Sequence, residues 1–224
     1  LCKKVDGRWI VKSSGFLDDH AYLANAAIDL YEVTGNPRYV RMAQGLVSAM
    51  LDAFHSPVDG FFFTPKDGEA LITRSKDPYD NAVPSGASMA CRALLRVGSL
   101  VQESYAELAA KELEALATVA VTNPFGYGQV LCELDRIVRG SVDIVVVGPT
   151  GDPRTKALAH AALKNTWLPN RTIAWLDPSS PSSRDACALL ADGKEAKAEP
   201  VAYVCRGRSC SLPVSTPEAL LALL

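Results

Sequence analysis

The pattern of apolar positions divides the chain near residue 140. Before that point apolar residues recur every three or four positions, the period of helices packed on one side; after it they run together in short β-branched stretches. From Phe16, FLDDHAYLANAAIDLYEV reads as a helix apolar over much of its circumference, closed by Thr34 and Gly35 in the manner of a C-terminal glycine. Asn36-Pro37 opens a second helix. Its apolar residues Val40, Ala43, Val47, Met50 and Phe54 form one row, with Arg38, Arg41, Gln44 and Asp52 elsewhere. The first reads as an inner helix and the second as an amphipathic outer one.

The runs GFFFTP and EALITR, on either side of Lys66-Asp67-Gly68, read as a small hairpin. A polar loop from Thr73 then leads through Pro84 and Ser85, an N-cap residue, into a helix of small apolar residues reaching Val97. Further helices are predicted from about Tyr105 to Ala120 and from Phe125 to Arg139, while residues 1–15 read as a polar lead-in with a short Trp9-Ile10-Val11 run. Helices alternate between buried and half-buried, as in hairpins stacked in two concentric layers.

Beyond Ser141 the order is VDIVVVG, a helix from about Thr155 to Lys164, TIAWLD, a short helical piece near Ala186–Leu190, VAYVC, and a capped helix from Thr216. Strands alternating with helices predict a small parallel βαβ sheet. The expected fold class is therefore mainly α with an α/β part, residues 1–140 holding the helical hairpins and 141–224 a small α/β subdomain.

Composition narrows the partners. The 224 residues are 48% hydrophobic and 21% charged, as in an ordinary globular protein. With 23 basic and 25 acidic side chains the net charge is −2, which argues against a nucleic-acid surface. No apolar run approaches the roughly 20 residues of a membrane span, so no membrane partner is expected. The start at Leu1, with neither an initiator Met nor a signal-peptide pattern, reads as a piece of something longer or a processed chain. Six scattered cysteines read as buried thiols in a reducing compartment, which gives a cytoplasmic expectation. Cys205 and Cys210, in CRGRSC, match neither a thioredoxin CxxC nor a full zinc set; they read as structural thiols, with a disulfide across the short loop as the alternative. No metal or organic cofactor is implied. VVVGPTGDP lacks the glycine spacing of a phosphate-binding loop.

LDDHAYLANAAIDLYEVTG, GFFFTPKDGEALITRSKDPYDNAVPSG and AYVCRGRSCSLP resemble the C-terminal half of the YyaL-type, spermatogenesis-associated thioredoxin-domain proteins. In that family a thioredoxin-like domain precedes a helical toroid similar to six-hairpin glycosidases and N-acylglucosamine 2-epimerases. The thioredoxin-like domain has no counterpart here, for no redox CxxC occurs. The resemblance implies a partial α/α toroid of alternating inner and outer helices and, because toroid relatives act on sugars, a sugar-like ligand. A partial toroid leaves inner helices without neighbours on one side. The expected occupants of that apolar edge are the missing N-terminal part of a parent chain, a second copy, or a rearranged terminus.

The candidate chemistry gathers at the starts of two presumptive inner helices. Asp18, Asp19 and Asp80 are the candidate acid/base carboxylates for hydrolysis or epimerisation; Asp18 and Asp19 equally suit the positive end of a helix macrodipole. Arg74, Asp77, Tyr79, Asn81 and Ser85 are the candidate ligand-binding residues. Arg74 would hold a ligand anion or pair with Asp77, and Tyr79 with Phe61-Phe62-Phe63 would either form a sugar-stacking wall or enter the core. His20 reads as a packed or surface histidine, with proton transfer as the alternative. The competing functional reading is a non-catalytic scaffold for a thioredoxin-like domain.

Overall fold

The computed structural model describes residues 2–11, 14–68, 72–164, 167–195, 197–207 and 209–224. The polar lead-in is a hairpin, β1 (Cys2–Val5) paired antiparallel with β2 (Arg8–Val11). Asp6 and Gly7 turn it with φ of +48° and +78°, the doubly positive backbone that Asp-Gly favours. α1 (Leu17–Thr34) and α2 (Arg38–Phe54) follow, and the predicted row Val40, Ala43, Val47, Met50 and Phe54 is wholly buried. Gly35 adopts φ +67° and donates its N–H to Tyr31 O at 2.8 Å.

The next hairpin lies upstream of the expected one: β3 (His55–Ser56) pairs with β4 (Gly60–Phe61). The second arm expected after Gly68 begins with Glu69, Ala70 and Leu71, which lie outside the described residues. Further along, Phe63 N donates to Ser75 O at 2.9 Å. α3 (Gly86–Leu100), α4 (Glu103–Thr122) and α5 (Gly128–Arg139) complete the helical part, with a 3-10 turn at Pro124–Gly126 where one continuous helix from Phe125 was expected. Helices α1, α3 and α5 pack in one row; α2 lies against α1 and α3, and α4 against α3 and α5. The helical part thus packs as two layers, and the chain is mainly α with an α/β part, as expected.

The sheet is mixed, a correction to the parallel one expected. β5 (Val142–Val147) runs parallel to β6 (Arg171–Leu176) but antiparallel to β7 (Val201–Arg206), and β8 (Ser209–Cys210) follows in the order β6-β5-β7-β8. Helix length explains the difference. α6 (Pro153–Lys164) has 12 residues, about 18 Å, enough to return along a six-residue strand of about 20 Å. α7 (Pro181–Ala186) and α8 (Ala188–Ala191), between β6 and β7, have six and four. They keep the chain at the end of the sheet it has just reached, so β7 enters from there.

Side chains alternate across β5 and β6. Ile144, Val146 and Ile173 face α6 and α9 (Pro217–Leu221), while Val145, Val147, Ala174 and Leu176 join the same core as the helical layers. Cys205 and Cys210 sit opposite each other in the β7–β8 hairpin and form a disulfide, so the alternative reading of that pair holds rather than the free thiols. Cys91 and Cys187 are buried free thiols and Cys132 an exposed one. No helix among the described residues is long and apolar enough to cross a membrane.

Candidate functional site

The N-termini of α1, α3 and α5 converge, and Asp18, Asp19, Asp80 and Ser85 lie around them. Asp80 is the hub. Its Oδ1 accepts from Ser85 N at 2.7 Å and Ser88 Oγ at 3.0 Å, and its Oδ2 from Gln129 N at 2.7 Å. One carboxylate thus meets unpaired N–H groups at the starts of both α3 and α5, where negative charge is favoured. Ser85 acts as the predicted N-cap, its Oγ accepting from Ser88 N at 3.1 Å. Asp19 closes the first turn of α1, its Oδ2 accepting from Phe16 N at 2.8 Å.

Asp18 stands apart. Its side chain lies against Gly86 at the start of α3, where an added Cβ would collide with Oδ1. Partial burial, then the charges of Asp77 and Asp19, push its carboxyl above the usual value of 3.8. Tyr22, whose hydroxyl donates to Pro84 O at 2.7 Å, feels the same charge. Asp18, Asp77 and Tyr22 are therefore electrostatic neighbours. Folded Asp18 holds its proton more tightly than the unfolded chain does, so stability falls as pH rises from 3.8 through the raised folded value. Asp18→Asn removes that fall: in urea titrations, the variant should match or exceed the parent at neutral pH and lose its relative advantage in acid.

Arg74 is not gathered there, whereas Tyr79 lies against Tyr127 at the start of α5. Arg74 donates to Thr64 O at 2.5 Å and Ala53 O at 3.4 Å, with its guanidinium 4.1 Å from the Phe62 ring; it ties a loop to the end of α2 rather than pairing with Asp77. Tyr79 is half exposed and packs at 5.2 Å on Tyr127, while Asn81 donates to Tyr79 O at 3.4 Å. Phe61 is buried and Phe63 stacks on Phe16 at 4.8 Å, so these rings form no common wall with Tyr79. His20 packs on Phe54 at 5.1 Å with Nδ1 2.9 Å from Phe16 O. At the turn after β5, the Asp177 carboxylate accepts from Thr150 N and Oγ1, both at 2.8 Å, filling the place an anion would take.

A concavity lined by many charged side chains lies further along the row of α1, α3 and α5. A cavity of ≈ 360 Å³ is walled by α1, α3, α5 and the segment entering β6. Arg96 pairs there with Asp29 at 2.6 Å and Glu32 at 3.3 Å, and Arg92 with Glu133 at 2.9 Å. These residues escaped the sequence reading because charges on helices ordinarily face solvent. Arg96, Glu32 and Glu133 are buried. Their register offered a signal: Arg92 and Arg96 are four apart on one face of the predicted buried helix. Among the described residues no cluster of three or more metal-ligating side chains gathers.

No family profile matches the sequence. An uncharacterized protein of Caenorhabditis elegans is 29% identical over 214 residues, 92% of this chain and 28% of its own length. Spermatogenesis-associated protein 20 of Homo sapiens is 27% identical over 215 residues, 94% of this chain and 27% of that protein, and its Mus musculus counterpart is 26% identical over the same span. The chain therefore spans little more than a quarter of the curated relatives it matches. Over nearly all of its own length, it is a homologue of spermatogenesis-associated protein 20, as the residues quoted for that resemblance implied.

Proposed function

We propose that this chain is a non-catalytic packing module of a longer helical protein, docking further polypeptide of that protein along α1. The observation that carries the reading is an apolar stripe on α1. Leu23, Leu30 and Val33 are 50, 46 and 50% exposed, with Ala26 also exposed between them. At about 100° per residue these positions share one side of the helix, opposite the buried Ala21, Ala24, Ile28 and Tyr31. A stripe of this spacing is the face a helix offers to another helix. Support for this occupant comes from the relatives' length, almost three-quarters of which lies outside the matched stretch. The thioredoxin-like domain that the resemblance implies belongs to such a remainder. Asp19 and Asp80 support the same reading, because their hydrogen bonds close helix ends.

In isolation the stripe has water for a neighbour, and a second copy is its readiest cover. A hydrophobic dye such as anilinonaphthalene sulfonate should brighten with the dilute chain, and Leu23→Lys/Leu30→Lys should abolish most of that emission. Equal emission from both would remove α1 as the docking face. A second reading, a sugar-like ligand processed by paired carboxylates, draws on Asp18 beside Asp77 and its raised pKa. Calorimetric titration with mono- and disaccharides decides it: saturable heat that Asp18→Asn abolishes would favour this reading, and no heat would end it.

A further inference from the structure

We propose that the cavity between α1, α3, α5 and the entry to β6 binds a small metabolite bearing a carboxylate or phosphate group, gripped by Arg136 and Arg171. The four arginines on its wall, Arg92, Arg96, Arg136 and Arg171, face three carboxylates, Asp29, Glu32 and Glu133. Those carboxylates are already engaged, Asp29 and Glu32 by Arg96 and Glu133 by Arg92 and by Gln129 Nε2 at 2.6 Å.

Arg136 is left over. It is only 8% exposed, yet among the described residues it has no carboxylate within ion-pair distance. Its donors meet neutral oxygens: Thr172 Oγ1 at 2.8 Å, Ser99 Oγ at 3.4 Å and Arg171 O at 3.4 Å. Burial pulls the Arg136 guanidinium below its ordinary value, opposed at longer range by Glu133, Asp143 and Glu32. Arg171, also on the wall, has a buried Nε with no hydrogen-bond partner among the described residues.

A buried cation without a contacting anion is an unstable arrangement in a protein interior. A buried guanidinium that meets only neutral oxygens, with the Arg171 side chain on the same wall, is a donor set suited to an oxyanion. Guanidinium forks match the planar carboxylate and the phosphate oxygens in donor geometry. The volume of ≈ 360 Å³ stands at the small end of ligand sites and sets the ligand's size to that of a small metabolite. Trp167, 90% exposed at the rim, provides an optical report.

Calorimetry and tryptophan emission, with inorganic phosphate and with malonate as separate probes, test the assignment. At least one probe should bind saturably, more weakly as salt rises, and the better probe identifies the group recognised. Arg136→Gln should weaken it by about tenfold or more, since a charge-assisted contact is lost. Arg171→Gln should act in the same direction and decides the matter should Arg136→Gln fail to fold by circular dichroism. No saturable binding of either anion by the folded parent would overturn the proposal. So would an affinity unaltered by substitution of these arginines.

Discussion

Asp80→Ala should lower unfolding stability by about 2–4 kcal/mol, since cap losses of about 1 kcal/mol each and buried unsatisfied donors add together. The substitution strands Ser85 N and Gln129 N at the starts of α3 and α5. Ser88 Oγ suffers less, because Ser85 O remains within 2.9 Å. Asp80→Asn should fall between the parent and Asp80→Ala. Its amide offers one acceptor oxygen, whereas the parent uses both carboxylate oxygens to accept hydrogen bonds. Equilibrium urea unfolding reads the effect as a lowered midpoint. An unchanged midpoint would mean that these bonds hold nothing together, and the carboxylate would return as a candidate for ligand chemistry.

Gly35→Ala acts where the helical layers meet the sheet. Gly35 closes α1 at φ +67°, and an added Cβ would stand 2.6 Å from the Trp175 ring. Trp175 is buried in β6, donates Nε1–H to Glu32 O at 2.9 Å, and gives its backbone N–H to Tyr31 Oη at 3.0 Å. The ring has little freedom to retreat. The left-handed backbone costs about 1–2 kcal/mol and overpacking about 1–3 kcal/mol more, so a loss of about 2–5 kcal/mol is expected. Thermal unfolding followed by near-ultraviolet circular dichroism should show a lowered midpoint and an altered tryptophan signal. A parent-like transition would place that ring elsewhere.

The sequence carried the helical half in detail and the site only in part. The row from Val40 to Phe54, the Gly35 terminus and the Ser85 cap are local signals, and each appears where its spacing indicates. The β1–β2 hairpin went unread in residues taken as a polar lead-in, although Asp6-Gly7 is a strong hairpin pair, because the ribbon is exposed and its surroundings polar. The direction of β7 was not legible from strand-and-helix grammar. It follows from α7 and α8 being too short to carry the chain back along the sheet. Asp80 was legible as important and illegible in role, for only the tertiary fold shows that Gln129, 49 residues on, lies under its second oxygen. The arginine cavity draws on α3, α5 and β6, and no local pattern announces a buried cation whose neighbours are supplied by other elements.

Sedimentation equilibrium of the isolated chain over a wide concentration range, beside Leu23→Lys/Leu30→Lys, tests the docking face of α1 most directly. The expected result is a parent mass rising from 23.9 kDa toward that of a dimer, with the doubly substituted chain remaining monomeric and folded. A parent that stays at 23.9 kDa throughout, or a variant that associates as strongly as the parent, would contradict it.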